Sequence, residues 1–255
     1  PASTVPLTAS LPIGNAVLDP AAAYRQASQR DASQAAPWLA LAAWRQRSAD
    51  PEGAQAAFAQ AAALGGAVGI RANGAADVRA IRRTLDLPII GINKLRETWP
   101  VFITPTVASA RGVVRAGAEI VALDATDRAR RGGLGPAELI RQVKAELGVL
   151  VMADIDTLEN GLRAAEAGAD LVGTTLSGYT EATAHLLGKG PDFALLRALA
   201  RRLKTPLICE GRIESPEHVA RAFDAGAFAV VVGTAITNPT AITARYAKAA
   251  KRGND

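Results

Sequence analysis

The chain has 255 residues, of which 49% are hydrophobic and only 4% aromatic, and its formal net charge is +5. This length favours one large domain and is typical of a barrel of eight β/α units, with a core filled mainly by aliphatic side chains. No basic run is interleaved with aromatic residues, which argues against a nucleic-acid partner. The mild positive charge fits a small anionic substrate, and it fits equally well a surface that serves only solubility.

The sequence also predicts a compartment. Its single cysteine, Cys209, excludes an intrachain disulfide and suits a reducing environment. The first twenty residues lack the basic start of a secretion signal, and no apolar stretch reaches the roughly 20 residues needed to span a bilayer. We therefore expect a cytoplasmic protein with no membrane partner.

Two regions differ in composition. Residues 1–36 are rich in Pro, Ser, Thr and Ala, and they predict a partly irregular N-terminal extension with a short helix at 21–34. Residues 37–255 predict the catalytic domain, because short apolar runs alternate there with amphipathic segments. The runs predict strands at 38–44, 67–71, 88–93, 119–124, 149–154, 170–175, 206–210 and 228–233. The other segments predict helices at 52–64, 75–85, 107–116, 136–147, 157–167, 192–203, 216–225 and 240–250.

The alternation predicts the fold. Nearly continuous apolar strands are typical of parallel strands covered on both faces, and strands alternating with helices indicate right-handed βαβ units. Eight such units predict a closed (β/α)8 TIM barrel, a single domain with an N-terminal extension. The Ala-rich sequence at 38–44 is also compatible with a helix, in which case the barrel is incomplete or the extension supplies a strand.

Most of the predicted strands end on one polar side chain. In a closed barrel of parallel strands these ends converge on one face, so a lysine and several carboxylates would meet there. This combination indicates an enzyme that transfers protons. The strand-end residues are Arg71, Lys94, Asp124, Asp154, Thr175, Glu210 and Thr234.

Each candidate has a structural alternative. Lys94 follows an apolar strand, where desolvation would make a neutral amine available as a base, and the alternative is a lysine in a surface loop. A carboxylate at the position of Glu210 is costly unless it is used or paired, and Arg212 or Lys94 would be its partner. Asp154 and Asp124 would orient a sugar hydroxyl or hold the lysine, and Asp124 would equally well cap its own loop.

Two glycine-containing segments are candidates for binding phosphate. Gly211-Arg212 follows the seventh predicted strand and Gly233-Thr234 follows the eighth, where barrels often bind phosphate through backbone N–H groups. The two histidines, His185 and His218, belong to no cluster with metal-ligand spacing, and the chain has neither of the common glycine-rich nucleotide motifs. We expect no metal and no nucleotide cofactor.

Six strings in order resemble the bacterial N-acetylmannosamine-6-phosphate 2-epimerase family over about residues 65–249. They are GIRAN at 69–73, ITPT at 103–106, ALDATDR at 122–128, MADI at 152–155, TTLSGYT at 174–180 and EGRI at 210–213. The resemblance implies a (β/α)8 enzyme of amino-sugar and sialic acid catabolism that needs neither a metal nor an organic cofactor. The small-molecule partner of such an enzyme would be an amino-sugar phosphate, and a homodimer is a further possibility.

The resemblance also implies roles for residues. Lys94 is the expected acid/base and Glu210 its partner, while the expected substrate contacts are Arg71, Asp154, Thr175, Ser177 and Tyr179.

Two positions depart from the family pattern. The family's first strand ends in a substrate-binding glutamine, for which Gln46 is the candidate here, and an arginine expected after the eighth strand is replaced by Asn238. The loss of that cation would weaken binding of an anion unless Arg212 compensates. The alternatives are another metal-free sugar-phosphate isomerase or lyase, or a barrel that binds sugar phosphate without turnover.

Overall fold

The computed structural model of the protein describes residues 51–95 and 99–251. Contacts divide the chain after Gly65 into two compact units. In the first unit the described element is helix α1, Pro51–Leu64, which confirms the helix predicted at 52–64. The predicted extension at 1–36 with its helix, the first predicted strand at 38–44 and Gln46 lie outside the described residues.

The second unit, from Gly66 onward, alternates strands with helices. Every predicted strand from the second to the eighth is present, as is every helix predicted after α1, with ends shifted by at most three residues. A 3₁₀ helix at Glu181–Leu186 and a short α-helix at Thr234–Thr237 were not predicted. The strands are β1 (Ile70–Asn73), β2 (Ile89–Ile92), β3 (Ile120–Asp124), β4 (Leu150–Asp154), β5 (Leu171–Gly173), β6 (Leu207–Glu210) and β7 (Ala229–Val231). The helices are α2 (Ala75–Arg82), α3 (Val107–Arg115), α4 (Pro136–Leu147), α5 (Leu158–Glu166), α6 (Phe193–Ala200), α7 (Pro216–Asp224), α8 (Thr234–Thr237) and α9 (Pro239–Lys251).

The described strands form one parallel sheet in which each strand pairs with the next, in the order β1 to β7. Parallel neighbours need long crossovers, and the helices supply them. The register places Asp124 of β3 opposite Asp154 of β4, and Glu210 of β6 opposite Val231 of β7. Strand-end residues therefore lie at similar heights along the sheet. This architecture is the TIM-barrel fold that the sequence predicted.

Apolar side chains of the strands and of neighbouring segments form a hydrophobic core cluster. Met152 belongs to this cluster and is fully buried. Gly173 on β5 makes room for it, because a Cβ atom at that position would collide with the methyl group of Met152. The buried members of the cluster are Ile92, Ile103, Ala122, Met152, Leu176 and Ile208.

The helices begin where their sequences provide caps. The hydroxyl of Thr157 accepts a hydrogen bond from the backbone N–H of Asn160, and that of Ser215 accepts one from the N–H of His218. Such caps satisfy N–H groups that have no partner inside the helix. Within the described ranges, no helix is long and apolar enough to cross a membrane.

Candidate active site

The carboxyl ends of the strands open into a cleft with a volume of about 790 Å³. This volume suits a small ligand, since ligand pockets are typically roughly 300–1,000 Å³. The walls come from segments that follow β2, β5, β6 and β7, and from α9. Many of the predicted site residues line the cleft, namely Lys94, Thr175, Tyr179, Glu210, Gly211, Arg212, Gly233 and Thr234.

Arg71 of β1 bridges two carboxylates beside the cleft. Its Nη1 and Nη2 atoms donate to Oδ1 and Oδ2 of Asp154 at 3.0 and 2.6 Å. The same Nη1 donates to Oε2 of Glu210 at 2.8 Å. Burial disfavours the charged guanidinium, but the two carboxylates outweigh this cost and raise the pKa of Arg71. The ion-pair partner of Glu210 is therefore Arg71, and the pairing with Arg212 or Lys94 considered from the sequence is not found.

Glu210 has an altered acidity. Burial raises the pKa of its carboxyl to about 7, against the opposing effect of the Arg71 charge. Asp154 raises this pKa further by like-charge repulsion, whereas Thr175 and Lys94 lower it. A carboxyl group with a pKa near 7 can both give and take a proton at neutral pH, which is the property required of a general acid or base.

Lys94 stands at the rim of the same cleft. Its backbone N–H donates to Oδ1 of Asn73 at 2.8 Å, and its backbone pairs with Ile103 across an isolated antiparallel bridge. These bonds fix the backbone of the residue between the end of β1 and the segment that contains Ile103. The residue is exposed, so the burial that the sequence argument assumed for its amine is wrong.

The segment after β5 divides its polar residues between two tasks. The hydroxyl of Thr175 donates to Oδ1 of Asp154 at 2.8 Å and so joins the carboxylate cluster. The hydroxyl of Ser177 is buried and donates to Oδ2 of Asp192 at 2.7 Å, so it contacts the start of α6. Tyr179 is half exposed at the cleft, and its ring lies 5.3 Å from the Arg212 guanidinium carbon.

Arg212 holds the segment after β5 in place. Its Nε donates to the carbonyl oxygen of Gly190 at 2.5 Å, and its Nη1 donates to the carbonyl oxygen of Ser177. Gly178 lies directly against this guanidinium and has a φ of 84°, so a side chain there would meet both strain and a collision. Arg212 lines the cleft, but two of its N–H groups are already bound to backbone.

The family model described as "Putative N-acetylmannosamine-6-phosphate epimerase" matches residues 55–252. The chain belongs to this family.

Bacterial relatives with similar sequences support the same family assignment. A protein of Caldanaerobacter subterraneus subsp. tengcongensis named "Putative N-acetylmannosamine-6-phosphate 2-epimerase" is 49% identical over 193 residues, covering 75% of this chain and 81% of that protein. One of the same name from Cutibacterium acnes is 50% identical over 190 residues, covering 74% and 82%. The solved structure of the N-acetylmannosamine-6-phosphate 2-epimerase from Clostridium perfringens is 43% identical, with a TM-score of 0.72 over 76% of this chain and 83% of that chain.

Asn238, which replaces the arginine expected from the family pattern, has a structural role. The side-chain Oδ1 of Asn238 accepts a hydrogen bond from the N–H of Ala241 at 3.0 Å, at the start of α9. Asparagine is a favoured helix cap, so this residue begins the helix. It contributes no charge to the cleft.

Arg245 lies on α9 and lines the cleft, and no sequence pattern indicated it. Its Nη1 donates to the carbonyl oxygen of Glu214 at 2.6 Å, and its Nη2 donates to that of Ala235 at 3.1 Å. Helical periodicity predicted α9 but did not indicate which of its residues faces the cleft. Only the contacts of Arg245 with the segments that follow β6 and β7 show this.

Asp124 follows the second of its two sequence alternatives. Its buried carboxylate accepts hydrogen bonds from the N–H and the hydroxyl of Thr126 and from Nη2 of Arg128. Burial raises its pKa, and the bonds from Thr126 and the charge of Arg128 oppose that shift. Asp124 therefore organises the loop after β3.

Proposed function

We propose that this protein is an isomerase that interconverts N-acetyl-D-mannosamine 6-phosphate and N-acetyl-D-glucosamine 6-phosphate by removing and returning the proton at C2. One observation carries the proposal: in a chain of this family, Lys94 and Glu210 line one cleft of suitable volume at the carboxyl ends of the barrel strands. In TIM barrels that face holds the catalytic residues. The reaction would belong to the catabolism of amino sugars, including those derived from sialic acid.

The chemistry follows from the substrate. In the open-chain sugar C2 lies next to the aldehyde, so removal of its proton leaves an enolate whose charge is shared with the carbonyl oxygen. The amine of Lys94 takes this proton and becomes an ammonium group. Return of a proton to the opposite face of C2 inverts the centre and completes the interconversion. No oxidant, reductant or co-substrate is needed for this balance.

Glu210 assists before and during this step. Opening the sugar ring requires a proton to leave the hydroxyl at C1 and another to reach the ring oxygen, and a carboxyl group with a pKa of about 7 is suited to such transfers. Arg71 and Asp154 hold Glu210 in position through the bonds described above. Arg71, Asp154, Thr175 and Tyr179 are the proposed substrate contacts. Ser177 is proposed to act indirectly, by fixing the segment that carries Tyr179.

The phosphate group is proposed to bind where the segments that follow β6 and β7 line the cleft. Gly211, Arg212, Gly233 and Thr234 line this region, and glycine allows the backbone to approach an anion closely. Binding energy from the phosphate holds C2 against Lys94, which is how remote contacts contribute to catalysis. The substrate contact through Gln46, the domain boundary after residue 36, the cytoplasmic location and a homodimer stay predictions.

Proton NMR of N-acetylmannosamine 6-phosphate with the protein in deuterated water tests the proposal. We expect loss of the C2 proton signal together with appearance of the other epimer. The Lys94→Ala variant should be slower by about 10²- to 10⁴-fold, the usual contribution of a general base. Lys204→Ala removes an exposed lysine near the other end of the barrel and should match the parent.

The outcomes separate the alternatives. Parental rates of C2 exchange in Lys94→Ala would remove Lys94 from the mechanism. Saturable binding of the substrate by the parent without exchange would indicate a binder rather than an enzyme. Turnover of other sugar phosphates in preference to this pair would indicate a different isomerase or lyase.

A further inference from the structure

The end of the cleft beside β7 contains a cation that no sequence motif indicated. Arg245 reaches from α9 to the segments that follow β6 and β7, through the carbonyl oxygens of Glu214 and Ala235. Both of these residues line the cleft, as do Gly233 and Thr234. Arg245 therefore stands where two loops proposed to bind phosphate meet.

The other cations of the cleft wall have contacts besides hydrogen bonds to carbonyl groups. Among the described lining residues the cations are Lys94, Arg212 and Arg245. Arg212 is bound to the segment after β5 and stacks on Tyr179. Lys94 lies close enough to Glu210 to lower the pKa of that carboxyl, so this residue acts at the reacting end.

Arg245 itself has spare capacity. Its two hydrogen bonds go to neutral carbonyl groups, and in the part of the chain that the structure describes no carboxylate lies within ion-pair distance of it. A guanidinium group has five N–H donors in a planar fork, and the two carbonyl oxygens occupy only some of them. The carbonyls fix the plane of the fork without neutralising its charge. A fixed, uncompensated guanidinium group suits the oxygens of a phosphate.

We propose that Arg245 binds the phosphate group of the substrate at the end of the cleft formed by Gly233, Thr234 and Ala235. This inference rests on the proposed function. Asn238 begins the same helix seven residues earlier, and a separation of two turns places both positions on one side of α9. The charge that position 238 lacks is thus supplied by the same helix.

The test uses three variants of the full-length protein. Arg245→Gln removes the charge and keeps some hydrogen-bonding capacity, and Arg245→Lys keeps the charge but loses the fork. Arg201→Gln is the matched control, because it removes an exposed arginine at the end of α6 that does not line the cleft. For each protein kcat and KM for the amino-sugar phosphate are measured, together with the Ki of inorganic phosphate as a competitor. Thermal unfolding checks that each variant folds.

We expect KM and the phosphate Ki of Arg245→Gln to rise on the order of 10- to 100-fold, the loss expected for hydrogen bonds to a charged group. Arg245→Lys should recover part of this loss, and Arg201→Gln should match the parent. A change in kcat alone, or a KM and Ki within threefold of the parent, would overturn the inference. If Arg245→Gln does not fold, Arg245→Lys decides: a rise in both constants supports the inference and unchanged constants overturn it.

The two proposals can fail separately. If the parent shows no exchange at C2, the proposed function fails, and Arg245 is then tested by titrating inorganic phosphate in ³¹P NMR. Weaker binding by Arg245→Gln than by the parent supports a phosphate site. Equal binding by the two, or no binding by the parent, refutes it.

Discussion

Replacement of Arg71 by methionine should destabilise the protein strongly and in a pH-dependent way. Arg71 donates to both Asp154 and Glu210, whose side chains are only 0% and 17% exposed, so the variant leaves two carboxyl groups close together without the cation that bonds to both. Removing one partner of a buried ion pair typically costs about 3–5 kcal/mol. We expect a loss of this size in the free energy of unfolding at pH 8.5, measured by urea denaturation.

The pH dependence follows from Glu210. In the parent its folded-state pKa of about 7 lies above the ordinary value of 4.5, so its contribution to stability is complete at low pH and is lost as the pH rises through 7. Arg71 lowers this pKa, so in the Arg71→Met variant the folded-state pKa should be higher still and stability should keep falling above pH 7. The difference between variant and parent should therefore shrink by about 1 kcal/mol or more at pH 5.5.

Arg111→Met is the matched control for this experiment. Arg111 pairs with Glu146 on the surface, where the two side chains are 41% and 47% exposed. Surface pairs contribute about 1 kcal/mol or less, so this variant should lose little at either pH. The role given to Arg71 is contradicted if Arg71→Met costs no more than Arg111→Met, or if its cost is the same at pH 5.5 and 8.5.

Two further predictions concern Glu210 and Gly178. If Glu210 works as the carboxylate, kcat/KM of the parent should rise with pH and level off above about pH 7. The Glu210→Gln variant should lack this inflection. An inflection that persists in the variant would show that another group titrates. Gly178→Ala should cost about 1–3 kcal/mol in urea denaturation, because it adds strain at positive φ to a collision with Arg212. Gly188 has a similar φ of 79° but open space around it, so Gly188→Ala should cost less. Equal costs for the two variants would show that the collision with Arg212 does not contribute.

Local sequence patterns predicted the elements of the second unit well. The seven described strands and the helices that follow them are recognisable because apolar runs, capping residues and glycines act within a few residues of the structure they specify. The short α8 and the 3₁₀ helix at Glu181–Leu186 lack the periodicity that marks longer helices. The polar strand-end residues were also recognisable, because parallel strands share one carboxyl edge.

The partners of those residues were not predictable in the same way. Arg71 and Glu210 are 139 positions apart in the chain, and nothing near either residue indicates that they form an ion pair. The expected burial of Lys94 failed for a related reason: the sequence shows where a strand ends, but not whether the next residue lies inside or outside the rim. Ser177 belongs to a family-like string, yet its hydroxyl contacts Asp192.

The sequence by itself determined the alternation of strands and helices, the family, and the pair Lys94 and Glu210 as candidates for proton transfer. Tertiary structure alone decided that Arg71 holds Asp154 and Glu210 together, that Asp124 serves its own loop, and that Arg245 reaches the cleft from α9. The physical reason is range. Backbone conformation responds to neighbours a few residues away, whereas charge pairing and pKa depend on distances of a few ångströms between segments that only the folded barrel brings together.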